Sequence, residues 1–246
     1  MDKKVKILFI GTGDFSNLQG RANQAIWIEY GETKFLVDCG PTTLYRMQLM
    51  NLNPNELSGI VLTHFHGDHT LGIVQVDLAL TLNWERKKSF FYAGPKGISS
   101  YFSNLYHVAY CDFFPNFQFE RVFWEYEPCK SYPIQDVIVT TFPMLHKKES
   151  LGYRFQMGEK IIAITGDTSW NDNIIPLAKN TDLFISECVS YKVGENPHHL
   201  CYQTLKEKYE CLSTKRIILT HLGQSLIEKI NELDFSVAED GMEIIL

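Results

Sequence analysis

The segment Ile60–Thr70 reads IVLTHFHGDHT, so three histidines and an aspartate occupy the six positions from His64 to His69, directly after an apolar run. Imidazole and carboxylate are ligands that suit zinc, manganese or iron, and little else in protein chemistry rewards packing four of them so closely. On an extended chain His64 and His66 project to one side, and Gly67 is expected to permit the tight turn that returns Asp68 and His69. Two pairs imply two metals, which need more ligands than this segment holds. Three other polar residues end apolar runs: His146 after DVIVTTFPM, Asp167 after KIIAITG and His221 after RIILT. Alone, His146 reads equally as a surface histidine beside Lys147 and Lys148, and Asp167 as a turn or helix cap. Together with the first motif they suggest His64, His66 and His146 on one metal, Asp68, His69 and His221 on the other, and Asp167 bridging both. Zinc is the first expectation and manganese the second, since no cysteine is among the ligands.

Those side chains need strands to deliver them and helices to brace the strands. Strand-like runs include VKILFIG, QAIWIEYG, TKFLVDCG, GIVLTH, SFFYAG, DVIVTTFPM, LGYRFQM, KIIAITGD, DLFISEC and RIILTH. Helical candidates lie between them: TTLYRMQLMNL, a helix with Pro95 in its first turn that continues through KGISSYFSNLYHV, NDNIIPLAKN, HLCYQTLKEKYE and GQSLIEKINEL. Such a mixture favours α/β sheets covered by helices over an all-β sandwich. IVLTH at 60–64 is echoed by IILTH at 217–221, as expected if two similar halves each wall one site. With 246 residues, 45% of them hydrophobic, the chain is expected to form one domain, 1–246. A net charge of -6 offers no global attraction for a polyanion. The first residues, MDKKVKILFIGTGDF, read as a strand rather than a signal peptide or membrane span. Six cysteines without CxxC spacing suggest free thiols, and a cytoplasmic protein is expected.

HFHGDH followed by a His, an Asp and a final His resembles the metallo-β-lactamase-fold hydrolases, and the resemblance covers nearly the whole chain. It implies a four-layer αββα sandwich with a dinuclear metal site at the edge shared by two sheets. FIGTGD, FLVDCGPTT, AGPKGI, LGYRF, ITGDTS and VAEDGMEIIL are similar to the ribonuclease Z and phosphonate-pathway phosphodiesterase branch. That branch implies phosphodiester hydrolysis. It also implies an acid histidine upstream of the last ligand; His199 of NPHHLCYQTL holds that place, with His198 the runner-up. Glu187 of FISEC aligns with a glutamate that would orient the acid. Asp38, ending FLVD, is a candidate carboxylate behind a ligand imidazole, or a turn residue. This chain reads HLC and SECVS where ribonuclease Z usually shows His-Ser-Thr and His-Glu-Ala-Thr.

The expected activity is a metal-dependent phosphodiesterase acting on a small or nucleotide-type diester. Two cations about 3.5–4 Å apart lower the pKa of a bridging water from about 15.7 toward 7, and the resulting hydroxide attacks phosphorus. Asp68 and Asp167 would orient it, and His199 would protonate the leaving alkoxide. The alternative is a ribonuclease Z-like tRNA 3′-end endonuclease, with RNA as partner; a lactone, thioester or β-lactam hydrolase ranks lower. Only KKESLGYRFQMGEKIIAITG separates His146 from Asp167, room for one hairpin and no tRNA-gripping arm. The aromatic-rich stretch 84–132, which includes Phe90, Tyr92, Tyr101, Phe102, Tyr106, Phe114 and Trp124, is expected to be mostly core, with some rings walling a pocket or forming a homodimer face.

Overall fold

The computed structural model describes residues 3–111, 113 and 117–246. Among the described residues fourteen strands form two seven-stranded sheets. The first contains β1 (Val5–Gly11), β2 (Ala25–Tyr30), β3 (Thr33–Val37), β4 (Gly59–Val61), β5 (Phe90–Pro95) and β6 (Arg121–Tyr126). The second contains β7 (Ser131–Ile134), β8 (Val137–Pro143), β9 (Leu151–Met157), β10 (Lys160–Ile164), β11 (Leu183–Glu187), β12 (Ile217–Thr220) and β13 (Ser236–Val237). The last strand, β14 (Glu243–Ile245), returns to the first sheet beside β1. Each sheet is antiparallel in one part and parallel in the other, switching at β3 and at β10. The halves are therefore alike, but the echoed strands are not equivalent. β4 is the first parallel neighbour of β3, whereas β12 is the second parallel strand beyond β10.

Alternation along the strands explains the layering. Val5, Ile7 and Phe9 of β1 enter the core between the sheets, while Leu8 and Ile10 face the other way. Ile162 and Ile164 likewise enter the inter-sheet core, and Ala163 faces out. Both faces are buried, which is why these strands read as continuous apolar runs. The outer face of the first sheet is covered by α1 (Thr43–Leu49), α3 (Ile73–Leu82) and α4 (Ile98–Tyr110), with the short α2 (Gly67–Thr70) preceding α3. The second is covered by α5 (Ile174–Ala178), α6 (Tyr202–Lys208) and α7 (Gln224–Ile227). Three apolar cores thus separate four layers, αββα. Asp77 of α3 is fully buried and ties the first outer layer to β6, accepting bonds of 2.8 and 2.6 Å from Arg121 and one of 2.7 Å from Tyr92.

Three local expectations need correction. Pro95 ends β5, paired with Tyr126; Gly97, at φ 98°, turns the chain before α4 begins at Ile98. Gly67 makes no left-handed turn: His66 is extended and Gly67 opens α2, so a helical turn returns Asp68 and His69. GQSLIEKINEL shrinks to the four residues of α7 and a 3₁₀ turn. Most of the aromatic stretch is core, including Phe90, Tyr92, Phe102 and Tyr106, whereas Phe114 lies outside the described residues. The six cysteines are free. No helix among the described residues is long and apolar enough to cross a membrane.

Candidate metal centre

Every candidate ligand lies beyond the C-terminal end of a strand. His64, His66, Asp68 and His69 follow β4, His146 follows β8, Asp167 follows β10 and His221 follows β12. Both sheets present these ends at one edge of the sandwich, the place where side chains from different strands converge. Gly40 lets the first motif come close. A Cβ there would stand 2.2 Å from the Asp68 carbonyl oxygen.

The seven side chains form two adjoining sets. His64, His66, His146 and Asp167 offer ligand atoms to one, and Asp68, His69 and His221 to the other, with the atoms of each set within 4.8 Å of one another. Nε2 of His146 lies 3.1 Å from Nδ1 of His66. Nε2 of His69 lies 3.1 Å from Nε2 of His221. One Asp167 oxygen faces His64 and His146 at 3.6 and 3.7 Å, and the other faces His69 and His221 at 3.2 and 3.6 Å. The carboxylate thus stands between the sets.

The residues fit divalent ions. Four ligand atoms placed tetrahedrally at zinc–nitrogen distances of about 2.0–2.1 Å stand roughly 3.3 Å from one another, close to the spacings here. Nε2 of His64 and Oδ1 of Asp167 are buried without a hydrogen-bond partner, a costly arrangement that coordination relieves. Burial holds His64 well below its usual pKa and His146 down at about 4, so both are in the neutral form that ligation requires. Burial opposes ionisation of Asp167, yet the imidazoles of His221 and His69 outweigh it and hold the carboxyl well below its usual range.

Outer contacts fix the rings. Asp38 receives 2.8 and 2.9 Å bonds from the Thr63 amide and hydroxyl and sits 2.7 Å from Nδ1 of His69. A proton on that Nδ1 leaves Nε2 for a metal. Asp38 and His221 take left-handed conformations, φ 61° and 55°, uncommon for residues with a side chain. Nδ1 of His146 donates 3.0 Å to the His198 carbonyl.

The geometry separates His198 from its neighbour. His198 contributes its backbone oxygen, whereas Nδ1 of His199 lies 2.9 Å from Glu187 and 3.8 Å from Asp167. Burial works against protonation of His199, but Glu187 outweighs it and lifts the pKa to about 9. His107, without an assigned role in the sequence, is on the exposed side of α4. Two aromatic residues beside the centre were given no role of their own from the sequence. Tyr101 stacks on Phe65 at 4.5 Å and bonds Thr70 at 2.6 Å, and Trp170 follows Asp167 by three positions. Tyr101 was hidden among core aromatics, and Trp170 belongs to no motif.

A family profile described as Anti-Pycsar protein Apyc1 matches residues 5–238. The ribonuclease Z of Pyrococcus furiosus is 26% identical over 86% of this chain and 83% of its own. The metallo-beta-lactamase fold protein YhfI from Bacillus subtilis superposes with a TM-score of 0.83 at 20% identity, both chains fully covered. A diphosphatase from the PhnP family gives 0.76 at 16% identity, over 99% of this chain and 97% of that one. The fold and the branch expected from the motifs are those of these relatives.

Proposed function

The chain belongs to the Anti-Pycsar protein Apyc1 family and is a metal-dependent hydrolase of the phosphodiesterase type; from that premise we propose that it cleaves a small, nucleotide-type phosphodiester at a centre of two divalent ions. Zinc is the first choice and manganese the second, because the ligand atoms are nitrogen and oxygen. In this reading residues 1–246 act as one hydrolase unit. His64, His66 and His146 hold one ion, Asp68, His69 and His221 hold the other, and Asp167 serves both. Bound ions would supply Lewis-acid polarisation of the phosphoryl group and acidification of the attacking water.

The protein's own residues do the rest. Asp38 and the His198 carbonyl keep ligand nitrogens aimed inward. Asp68, 13% exposed and 3.2 Å from His221, is placed to accept a hydrogen bond from the attacking water and align it. His199 has Nδ1 committed to Glu187, so Nε2 is the atom that delivers a proton to the departing alkoxide.

The observation that carries the choice of substrate size is the hairpin between His146 and Asp167. β9 and β10 fill that interval, paired from Lys160 opposite Met157 to Ile164 opposite Tyr153. The interval holds no protruding arm to grip an RNA. The ribonuclease Z relative favours a second reading, a tRNA 3′-end endonuclease. A substrate panel separates them. Bis(p-nitrophenyl) phosphate and a cyclic nucleotide should be hydrolysed readily and pre-tRNA bound weakly. Tight pre-tRNA binding that falls steeply with salt, the signature of many phosphate contacts, would reverse the order.

A further inference from the structure

Beside His199 a cleft of about 150 Å³ opens between the loop after Asp167 and the loop before α6. Trp170 lines it together with Val193, Pro197, Leu200 and Thr204. His199 is the one titratable imidazole among its lining residues, and no carboxylate or ammonium group accompanies it. Beyond His199, such a surface gains nothing from phosphate charge. It suits a flat, weakly polar ring.

The wall is rigid. Trp170 packs against the outer core of the second sheet. Its loop is tied on both sides, by the Thr168 amide to Glu187 at 2.8 Å and by the Ser169 amide to the Leu145 carbonyl at 3.0 Å. The loop before α6 is tied by the His198 amide to the Asn196 side chain at 3.2 Å. Trp170 is therefore held in place by the same loop that carries Asp167, with Glu187 as a common anchor. A group binding against the indole is thereby placed in register with the phosphate-cleaving centre.

Resting on the reading of the centre as a nucleotide diesterase, we infer that this cleft seats the nucleobase, with Trp170 as the specificity-determining stacking surface. Continuity with His199 sets the direction. The acid protonates the leaving oxygen, so the atoms beyond that oxygen, the sugar and its base, extend into the space that starts at His199. Trp170, Pro197 and Leu200 offer apolar surface to the faces of the base, and the Thr204 and Ser169 hydroxyls and the Asn196 amide, in the same lining, offer polar groups to its edge. Base–aromatic stacking tolerates different bases, so this surface selects nucleotides over smaller diesters more strongly than one base over another.

The test is equilibrium binding of AMP, CMP and inorganic phosphate to the metal-loaded protein, by calorimetry, in wild type, Trp170→Ala and Trp170→Phe. Trp170→Ala should weaken both nucleotides by at least about fivefold, the lower end for loss of one base–aromatic stack. Phosphate affinity and metal content should stay unchanged, and Trp170→Phe should restore much of the loss. Nucleotide binding unaffected by Trp170→Ala, or wild-type nucleotide affinity no greater than that of phosphate, would overturn the assignment. An equal loss for phosphate and nucleotide would also overturn it, by placing Trp170 in support of the metal centre. Failure of the underlying reading looks different: wild-type enzyme that does not hydrolyse nucleotide diesters, a result obtained from turnover and independent of these affinities.

Discussion

Nδ1 of His199 and Oε1 of Glu187 lie 2.9 Å apart, in a pair whose glutamate is 2% exposed and whose histidine is 14% exposed. The carboxylate anchors the imidazole from beneath, while the histidine alone meets solvent. Glu187 also receives the Thr168 amide at 2.8 Å, one residue past Asp167, so His199 and the loop that carries Asp167 are braced by one carboxylate.

The first prediction separates proton donation from positioning. A nitrophenolate leaves with little help, because its conjugate acid has a pKa of about 7, near that of imidazole itself. A ribose alkoxide is far more basic. His199→Ala should lower kcat on a nucleotide diester by about 10²–10⁴-fold and much less on a nitrophenyl ester. His198→Ala should alter both modestly. Equal losses on the two substrates would make His199 a positioning residue.

The pH profile provides a second check. His199 must be protonated to act, so activity on nucleotide diesters should fall as pH rises through about 9. Glu187→Gln removes the charge that lifts this pKa and should move the alkaline limb to lower pH. The same pair stabilises the fold with the opposite limits from an acidic group. Its contribution is complete below the unfolded histidine value near 6.5 and is lost as pH rises through about 9. An alkaline limb unchanged in Glu187→Gln, read from kcat against pH, would assign that limb to another group.

Metal content is the third. Elemental analysis should find close to two divalent transition-metal ions per chain, and Asp167→Ala should lose most of one or both. Burial opposes protonation of His69, but Asp167 and Asp38 raise its pKa well above the usual range, so metal binding should release protons near neutral pH. Calorimetric binding enthalpies should therefore depend on the ionisation enthalpy of the buffer. Chelation should lower Tm, since free ion at 1,000 times its Kd stabilises the folded state by about 4 kcal/mol. Full occupancy in Asp167→Ala would remove that residue from the centre.

A fourth prediction concerns the scaffold far from the chemistry. Asp77→Ala leaves the Arg121 guanidinium without its two carboxylate bonds and Tyr92 without its acceptor. Arg121 is 20% exposed, so the loss should fall toward the lower end of the about 3–5 kcal/mol seen when a fully buried pair is broken. Denaturant titration should show that loss with metal content unchanged in the protein that remains folded. A change below about 1 kcal/mol would mean that the outer layer repacks without the tie.

The convergence of the candidate ligands was legible because such a pattern is improbable otherwise: His64, His66, Asp68 and His69 share six positions, and the remaining candidates each end an apolar run. Strands buried on both faces were legible for the same kind of reason, since runs such as KIIAI carry no polar face. Local backbone detail was less so. Gly67 and Pro95 have propensities that fit several conformations, and tertiary context chose a helix start for one and a strand end for the other. Trp170 was invisible because a solitary aromatic residue gains meaning only when another loop, here residues 193–200, closes a cleft against it.

His69 and His221 meet at 3.1 Å although 152 residues separate them in the chain. During synthesis, at about 5–20 residues per second, the first motif therefore waits roughly eight to thirty seconds for its last partner to be made. Throughout that interval a nascent chain displays three histidines and an aspartate that can catch a passing ion in an incomplete grip. The grip is completed only when β12 joins the second sheet and brings His221 to His69.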